Sequence, residues 1–561
     1  MASEAPVTAP LEPFPEAIQE SGAPQANGNG NATSQPVALT ETINLGRNVS
    51  LTLENDSLRV QDKAGQKKSR TCGIDFSSDA STTRSIPLYN VLWAELSDDR
   101  QTLTVDFAEE TSKTRLRVSQ LTYKTAPTAG AEHHSTPTPG IETWIEALLT
   151  RSYGPAARRK RAYVLVNPHA GPGGADKKWE TQVRPIFAAA RMPMEVIETK
   201  YSGEAVELCQ KMDIDAFDIV VPCSGDGLPY ECFNGLGRRA DARRALEKLA
   251  VCHIPCGSGN AMACNLYGTH RPSLAALAIV KGVPTPMDLV SITQGDRRTL
   301  SFLSQSLGIV AESDLATESM RWMGETRFTV GFLVRLFQKK VYPCDIAVKL
   351  EIGHKEGVKG HYKRERENSS TEALDKFSSS AVNLNGTRVR DESLAESEAT
   401  GSSNKEGLPP LKYGTINDKL PEGWEVIPGE KMGNFYCGNM AYMAPDANFF
   451  SAALVNDGLM DLVCIDGNIS PMKSIELMLS VESGHFFDNP LVAYRKVSAY
   501  RIIPKNQSDG YISIDGERVP FEPFQAEIHQ GLGKVLSKRG GYEAPGPHNW
   551  DKVTVTERYM A

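Results

Sequence analysis

Two glycine-rich turns on consecutive predicted strands constrain the fold of this chain most strongly. Residues 223–227 read CSGDG and residues 255–260 read PCGSGN, and an apolar, β-branched run precedes each turn. A glycine turn between a strand and a helix lets backbone N–H groups approach an anion closely, and the helix dipole favours negative charge there. The pair therefore predicts a nucleotide-phosphate site, with Asp226 inside the first turn as its candidate base.

Length and composition limit the class of protein. A chain of 561 residues is too long for one core, so the sequence predicts several domains. No apolar stretch reaches the ~18 to 20 residues of a membrane-spanning helix, and the N-terminus lacks the features of a signal peptide. The ten cysteines form no C-x-x-C cluster, which predicts reduced core thiols and an intracellular protein. The net charge of −8 argues against a general nucleic-acid binder.

Changes in composition along the chain predict its domain organisation. The fold class that we predict is an α/β nucleotide-binding domain and a β-rich, β-sandwich-like domain, preceded by a small β module. The predicted boundaries are a disordered N-terminus at 1–44, the β module at 45–152, the α/β domain at 160–290, the β-rich domain at 291–540 with a disordered insertion at 354–412, and a C-terminal tail at 541–561.

The predicted β module has several short strand-like runs followed by one amphipathic helix that starts at Ile141. This order resembles a pleckstrin-homology module. The resemblance implies an adaptor for a membrane or a partner, and a purely packing role remains an equal alternative. The basic run at 158–161 has two interpretations as well: a solvated linker or a contact to anionic lipid headgroups.

A third glycine-rich loop, at residues 167–174 (NPHAGPGG), follows the first strand of the α/β domain. It lacks the Gly-Lys-Ser/Thr ending of a Walker A loop, so the chain is not an ordinary P-loop protein. The G-x-G-x-x-G pattern is also absent from this junction, which weakens a dinucleotide-binding interpretation.

The three loops occur in the order that is found in the lipid kinases. Residues 167–174, 224–235 and 255–261 closely resemble the superfamily of diacylglycerol, ceramide and sphingosine kinases. Ser224 before Gly-Asp-Gly is similar to the sphingosine (sphingoid long-chain base) kinase branch, whereas the other branches more often carry Gly-Gly-Asp-Gly. The resemblance covers about 162–350 and 430–535 and ends at the Asp-Gly-Glu of residues 515–517.

The resemblance implies a role for each matching residue. Asp226 matches the catalytic aspartate, which accepts the proton of the lipid's primary hydroxyl as that hydroxyl attacks the γ-phosphate. The implied nucleotide-binding residues are Asn167, Gly171, Thr199, Ser224, Gly225, Gly227, Gly257, Ser258, Gly259, Arg321, Arg327, Asp515, Gly516 and Glu517. Asp314 matches the carboxylate that selects the cationic amine of a sphingoid base. Ser304 and His485 fall near positions that contact the lipid.

These residues also have purely structural interpretations, and the chain departs from the family pattern in places. In these interpretations Asp226 does no more than cap a helix, and Asp314, Arg321 and Arg327 lie on a solvated face. Residues 515–517 have the sequence of a tight hairpin turn. The first loop lacks the lysine that the family usually has there, so Lys177 or Lys178 would have to substitute for it. Pro229 follows the Gly-Asp-Gly-Leu run, at a position where the family commonly has a residue other than proline. A helix tolerates proline in its first turn, so the fold should be kept.

The resemblance thus implies an ATP- and Mg²⁺-dependent kinase for the primary hydroxyl of sphingoid bases, in which the β-rich domain is the lipid-binding domain. A ceramide or diacylglycerol kinase, a catalytically weak lipid- or nucleotide-sensing scaffold, and an enzyme similar to NAD kinase are the alternatives. The expected partners are the lipid substrate and, peripherally, an intracellular membrane, with no nucleic acid and no resident metal site. The cytoplasm is the expected location. The sequence does not indicate which sphingoid base is preferred, which membrane is contacted, or the oligomeric state.

Overall fold

The fold is taken from a computed structural model. It describes residues 41–45, 48–62, 82–125, 140–316, 341–382, 407–507 and 510–547; the side chains of 313–316 and 369–382 are outside the description. Disorder is predicted for residues 1–44; residues 1–40 lie outside the described residues, and the prediction is wrong for residues 41–44, which belong to the strand Glu41–Leu45. Residues 318–340, for which the sequence predicts a helical stretch, and most of the predicted C-terminal tail at 541–561 also lie outside the described residues.

The N-terminal part of the described chain is rich in β-strands and ends in a helix. Its elements are β1 (Glu41–Leu45), β2 (Val49–Leu53), β3 (Ser57–Asp62), β4 (Thr82–Pro87), a 3₁₀ turn (Leu88–Asn90), β5 (Val91–Leu96), β6 (Thr102–Ser112), β7 (Arg115–Lys124) and α1 (Ile141–Tyr153). Strands β1–β4 form one antiparallel sheet and β5–β7 form another. The sequence predicted neither β1 nor β4. Ile43 and Leu45 of β1 do alternate with polar residues, but β1 adjoins the segment whose composition predicts disorder, and β4 carries no such alternation.

The next part alternates strands and helices, as predicted. Its elements are β8 (Ala162–Val166), α2 (Ala175–Lys178), a π-helical turn (Trp179–Val183), α3 (Arg184–Ala189), β9 (Met194–Glu198), α4 (Glu204–Lys211), β10 (Ile219–Ser224), α5 (Gly227–Gly237), α6 (Ala242–Lys248), β11 (Ala250–Val251), β12 (Ile254–Pro255), α7 (Ala261–Tyr267) and α8 (Pro272–Lys281). Pro229 is the third residue of α5, where its missing N–H costs the helix no hydrogen bond.

The remaining part is mostly strands. Its elements are β13 (Val283–Gln294), β14 (Arg297–Ser301), β15 (Ser304–Gly308), α9 (Ile309–Ala316), β16 (Cys344–Ile352), α10 (Lys355–Val382), β17 (Glu425–Ile427), β18 (Met432–Gly438), β19 (Tyr442–Ala444), β20 (Ala447–Asn448), β21 (Met460–Asp466), α11 (Pro471–Glu482), β22 (Ala493–Pro504), β23 (Ile512–Ile514), β24 (Glu517–Val519) and β25 (Phe524–Ser537).

One sheet runs through both parts after residue 160. Sixteen strands hydrogen-bond into it, and its main path is β24-β23-β15-β18-β21-β22-β25-β11-β10-β8-β9. Strand β25 makes the connection, because it pairs in parallel with β11 and antiparallel with β13 and β22. The α/β part and the β-rich part therefore share a continuous backbone scaffold, which places their loops at fixed positions.

The prediction of disorder at 354–412 is wrong for the first part of that tract, which forms helix α10. The start of α10 is held by burial: Lys355, Val358 and Tyr362 are buried, and Lys355 Nζ donates to the carbonyl of Asn489 at 2.8 Å. Composition could not show this, because a few tertiary contacts stabilise a helix whose sequence is otherwise polar. Residues 383–406 lie outside the described residues.

The N-terminal β-strands pack directly on the α/β part. Lys281, at the end of α8, is 4% exposed, and its ammonium donates to the carbonyls of Val91 and Ser152 and lies 3.6 Å from the centre of the Tyr153 ring. Ser273 at the other end of α8 accepts from the N–H of Leu116 in β7. In the part of the chain that the structure describes, no helix is both long and apolar enough to cross a membrane.

Candidate active site

The site lies where four parallel strands end. Strands β8, β9, β10 and β12 pair in parallel, so their carboxyl ends meet at one edge of the sheet. Asn167, Thr199, Ser224 and Gly257 each follow or end one of these strands. Asn167 Nδ2 donates to Ser224 Oγ at 3.4 Å, and the Asn167 side chain also accepts from the N–H of His169, which fixes the first loop. This edge is where ligands of α/β sheets bind.

Glycine is required where the loops meet. A Cβ atom on Gly257 would lie 2.5 Å from Gly225 Cα, and one on Gly171 would lie 2.7 Å from the carbonyl oxygen of Cys256. Both neighbours are backbone atoms, which cannot rotate away. The three loops therefore pack backbone against backbone and form a floor without side chains, as a phosphate cradle requires.

The carboxylate of Asp226 is held by the start of α7. Its Oδ2 accepts from the N–H of Ala261 and its Oδ1 from the N–H of Met262, each at 3.0 Å. Asp226 directly precedes α5, but its side chain makes no capping hydrogen bond to that helix. Its carboxylate instead caps α7, through the two N–H groups just named. Asp226 also lines the cavity, so a carboxylate of fixed orientation faces the space where a substrate would lie.

Asn260 closes the second loop on itself. It lies in the left-handed region at φ 55°, its Oδ1 accepts from the N–H of Gly257 at 2.9 Å, and its Nδ2 donates to the carbonyl of Gly257 at 2.8 Å. Glu231 braces the neighbouring loop in a similar way, because its carboxylate accepts from the N–H groups of Gly203 and Ala205. Burial raises the pKa of Glu231, and these two bonds oppose that rise.

The turn at 515–517 reaches the same place from the β-rich part. Glu517 Oε1 lies 2.7 Å from the position that a Cβ on Gly227 would occupy. Asp515 is 2% exposed, and its carboxylate accepts from the hydroxyl of Ser301 and from three successive backbone N–H groups, at residues 302–304. Burial raises the pKa of Asp515 to about 6, and the hydrogen bonds oppose that rise.

A cavity of about 690 Å³ joins these loops to an apolar space. Its polar end contains Asp226 and residues of all three glycine loops. Its other end is lined by apolar side chains of the β-rich part and of α11, among them Leu303, Tyr436, Met443, Phe449, Ile465, Leu477, Met478, Val481 and Phe486. The arrangement can therefore hold a polar phosphate donor and an apolar chain at the same time, with the carboxylate of Asp226 in the same cavity.

The structure brings most of the predicted residues together. Those that line the cavity are Asn167, Gly171, Thr199, Ser224, Gly225, Asp226, Gly227, Gly257, Ser258, Gly259, Ser304, Asp515, Gly516 and Glu517. His485 does not line it: its imidazole is 48% exposed and lies 3.6 Å from Asp488, while its neighbour Phe486 faces the cavity. Arg321 and Arg327 lie outside the described residues, and of Asp314 the structure describes only its place in α9.

Sequence reasoning missed several lining residues. Lys200 and Tyr201, directly after Thr199, line the polar end, whereas Lys177 and Lys178 are not among the described lining residues. The position of Lys200 next to a predicted strand end could have indicated it as a substitute for the missing loop lysine. Helix α11 carried no signal of a cavity, because its apolar spacing is also that of a core helix.

No metal cluster is evident in the described ranges: they contain no group of three or more His, Cys, Asp or Glu side chains that could hold an ion. The chemistry that the arrangement supports is phosphate binding by backbone groups beside a carboxylate.

Two family comparisons match the chain. The diacylglycerol kinase catalytic domain matches residues 161–292, which contain all three glycine loops. A domain of unknown function (DUF7493) matches residues 41–154, the N-terminal β-rich part. A crystal structure of a diacylglycerol kinase from Bacillus anthracis strain Sterne superposes with a TM-score of 0.44 at 16% identity, covering 67% of this chain and 97% of that one.

Two relatives are more similar to this chain in sequence. Sphingoid long chain base kinase 5 of Saccharomyces cerevisiae is 37% identical over 430 residues, which are 71% of this chain and 62% of that protein. Sphingoid long chain base kinase 4 of Schizosaccharomyces pombe is 30% identical over 473 residues, which are 84% of this chain and 92% of that protein. The chain belongs to the sphingoid long-chain-base kinase family. As a member of that family with a diacylglycerol kinase catalytic domain, it is a lipid kinase, which confirms the resemblance seen in its loops.

Proposed function

We propose that this lipid kinase transfers the γ-phosphate of ATP, in the presence of Mg²⁺, to the primary hydroxyl of a sphingoid long-chain base, such as sphingosine, dihydrosphingosine or phytosphingosine. One observation carries the proposal: a single cavity joins the glycine loops, the Asp226 carboxylate and an apolar space. The printed names of the relatives agree with a sphingoid base as the substrate.

The polar end of the cavity suits the phosphates of ATP. The close backbone contact of Gly225 with Gly257 leaves room for phosphate oxygens where side chains would otherwise lie. Ser224 and Thr199 add hydroxyls at the same edge, and Lys200 adds a cation. Mg²⁺ is expected to enter with the phosphates and to neutralise part of their charge. Arg321 and Arg327 remain proposed phosphate contacts on the basis of the family resemblance.

Asp226 is the proposed base of the transfer. The lipid hydroxyl gives its proton to the Asp226 carboxylate while its oxygen forms a bond to the γ-phosphorus, and the bond from that phosphorus to the bridging β–γ oxygen breaks. The products are the lipid 1-phosphate and ADP. Such a transfer depends mostly on positioning and charge neutralisation, which the two N–H bonds to Asp226 and the rigid loops provide.

The lipid is proposed to lie across the boundary between the two ends of the cavity. Its apolar tail would contact residues such as Val481 and Phe486, and Ser304 lines the same cavity. Asp314 is the proposed partner of the cationic amine, a group that ceramide and diacylglycerol lack. His485 is exposed in this structure, so its proposed lipid contact would require the segment that contains it to turn inward.

The N-terminal β-rich part is proposed to be a pleckstrin-homology-like adaptor that brings the enzyme to the surface of an intracellular membrane from the cytoplasm. The order of two antiparallel sheets followed by helix α1 supports this. Its contacts with α8 through Lys281 and Ser273 indicate that it also packs as a structural part of the enzyme.

The test is phosphate transfer from labelled ATP to sphingosine, ceramide and diacylglycerol, measured side by side in mixed micelles. Wild type should prefer sphingosine, and Asp314→Asn should raise the KM for sphingosine with little change in the KM for ATP. Equal or greater transfer to a neutral lipid would move the enzyme to another branch and would remove the proposed role of Asp314. ATP binding without transfer to any lipid would favour the sensing scaffold.

A further inference from the structure

His253 lies directly behind the Asp226 carboxylate. It sits between β11 and β12 and is 0% exposed, with Nε2 3.0 Å from the carbonyl oxygen of Ser224 and Nδ1 3.7 Å from Asp226 Oδ1. Among the described residues, no group hydrogen-bonds to Nδ1. A buried polar atom without a partner is costly, so its position beside a carboxylate calls for an explanation.

The carbonyl contact determines the protonation of the ring. A carbonyl oxygen can only accept, so Nε2 carries a hydrogen and donates to Ser224. Burial lowers the pKa of His253, which favours the neutral ring and leaves a lone pair on Nδ1. The titratable groups that face His253 are Asp226, on the Nδ1 side, and the phenol of Tyr267, which accepts from the His253 backbone N–H at 3.3 Å. Burial raises the pKa of Tyr267, so that phenol is neutral.

The surroundings of Asp226 otherwise favour its charged form. The N–H groups of Ala261 and Met262 stabilise a carboxylate, and so does the start of α7. The neutral Nδ1 has the opposite effect, because its lone pair faces Oδ1 and can accept a hydrogen bond only after Oδ1 has been protonated.

We propose that His253 is a positioning residue that accepts a hydrogen bond from protonated Asp226 through Nδ1, and so strengthens Asp226 as the base. The proposal rests on the proposed phosphate transfer. In that step the proton of the lipid hydroxyl comes to lie on Asp226 Oδ1 and is shared with Nδ1, while the phosphorus–oxygen bonds change as described above. The proton leaves to solvent after the product departs. A small rotation of the carboxyl group would shorten the 3.7 Å separation, as catalytic hydrogen bonds often tighten when substrate binds.

Two variants separate the roles of the two ring nitrogens of His253. His253→Gln can keep a donor for the Ser224 carbonyl but loses the acceptor next to Asp226, whereas His253→Asn can keep an acceptor near Nδ1 but loses the donor to Ser224. We expect His253→Gln to lower kcat by about tenfold or more, with an unchanged KM for ATP and with the acid limb of its kcat–pH profile moved to lower pH. His253→Asn should keep clearly more of the wild-type kcat and the wild-type acid limb. His270→Gln is the control, since His270 Nδ1 is also buried without a hydrogen bond to any described group but lies between α7 and α8.

The kinetics are measured on the lipid that wild type phosphorylates best, so the test of His253 does not depend on whether that lipid is a sphingoid base. Thermal unfolding of each variant is measured as well, to detect a loss of stability. A His253→Gln variant with wild-type kcat and pH profile would overturn the proposal, and so would a loss of kcat that follows only a loss of stability. ¹⁵N spectra of histidine-labelled protein test the same point without turnover, with His253→Gln used for assignment. Nε2–H with an unprotonated Nδ1 at neutral pH is expected; Nδ1–H would overturn the proposal even in a protein that phosphorylates no lipid.

Discussion

Asp515 and Ser304 are joined by two reciprocal hydrogen bonds. The Asp515 N–H donates to the carbonyl of Ser304 at 2.7 Å, and the Ser304 N–H donates to Asp515 Oδ1 at 2.9 Å. The turn that carries Glu517 to the glycine loops is therefore tied to the first residue of β15, which lines the same cavity. This gives Asp515 a positioning role, in addition to the nucleotide contact that remains a prediction.

The buried Asp515 carboxyl should make stability depend on pH. Because burial raises its pKa in the folded protein to about 6, above the ordinary value of 3.8, the folded state binds more protons between these values. The contribution of Asp515 to the free energy of unfolding is thus complete below about pH 4 and falls as pH rises towards 6. Urea unfolding of wild type and Asp515→Asn should show wild type losing about 3 kcal/mol relative to the variant between about pH 3 and about pH 7. Parallel stability curves would contradict the assignment.

Gly257→Ala should damage the phosphate cradle. The new methyl group would lie 2.5 Å from Gly225 Cα, so one of the two loops must move. Overpacking of this kind costs about 1 to 3 kcal/mol, and we expect ATP to bind about tenfold more weakly or worse, as measured with a fluorescent nucleotide analogue. Gly541→Ala is the control, since its methyl group would meet nothing within 4 Å. Unchanged ATP affinity in Gly257→Ala would show that the cradle is not where we place it.

Val481→Phe should shorten the apolar space. Val481 is buried on α11 and lines the cavity, so a larger side chain there would occupy room that the tail needs. The KM for a long-chain sphingoid base should rise by about fivefold or more, with a smaller effect on a short-chain analogue and none on ATP. Leu479→Phe, on the exposed side of the same helix, should behave like wild type. An equal effect on long and short chains would place the tail elsewhere.

Lys281→Met should remove a pH dependence of the free energy of unfolding that arises where α8 contacts the N-terminal strands. Burial holds the pKa of Lys281 well below its ordinary value of 10.5, so the unfolded chain binds more protons between the two values. The free energy of unfolding of wild type should therefore rise with pH between these two pKa values. The methionine variant should lack this rise, while Lys113→Met, at an exposed turn, should keep it.

The glycine loops and the strands and helices around them could be predicted from the sequence because their signals are local. An apolar strand, a glycine turn and a helix follow one another within a few residues at Asp226 and at Gly257. The apolar spacing of residues 274–280 likewise predicts a helix, which is observed as α8 with its ends displaced by one or two residues.

Other features depend on residues far apart in the chain. His253 contacts Asp226 only because β12 pairs in parallel with β10, and nothing in the local sequence marks that histidine. Strand β25 joins the two parts of the sheet through its pairing with β11, a contact between Val251 and Val535 that no local pattern encodes. Helix α10 was mistaken for a disordered segment because its few buried residues are outnumbered by polar ones.

The most direct measurement is the transfer of labelled phosphate from ATP to sphingosine by wild type and by Asp226→Asn, with ATP affinity and thermal unfolding measured on the same preparations. The amide keeps the size of the carboxylate but cannot take up the hydroxyl proton. We predict that kcat falls by about 10² to 10⁴ while ATP affinity and the melting temperature change little. Transfer at the wild-type rate in a folded Asp226→Asn protein would contradict the assignment of Asp226 as the base.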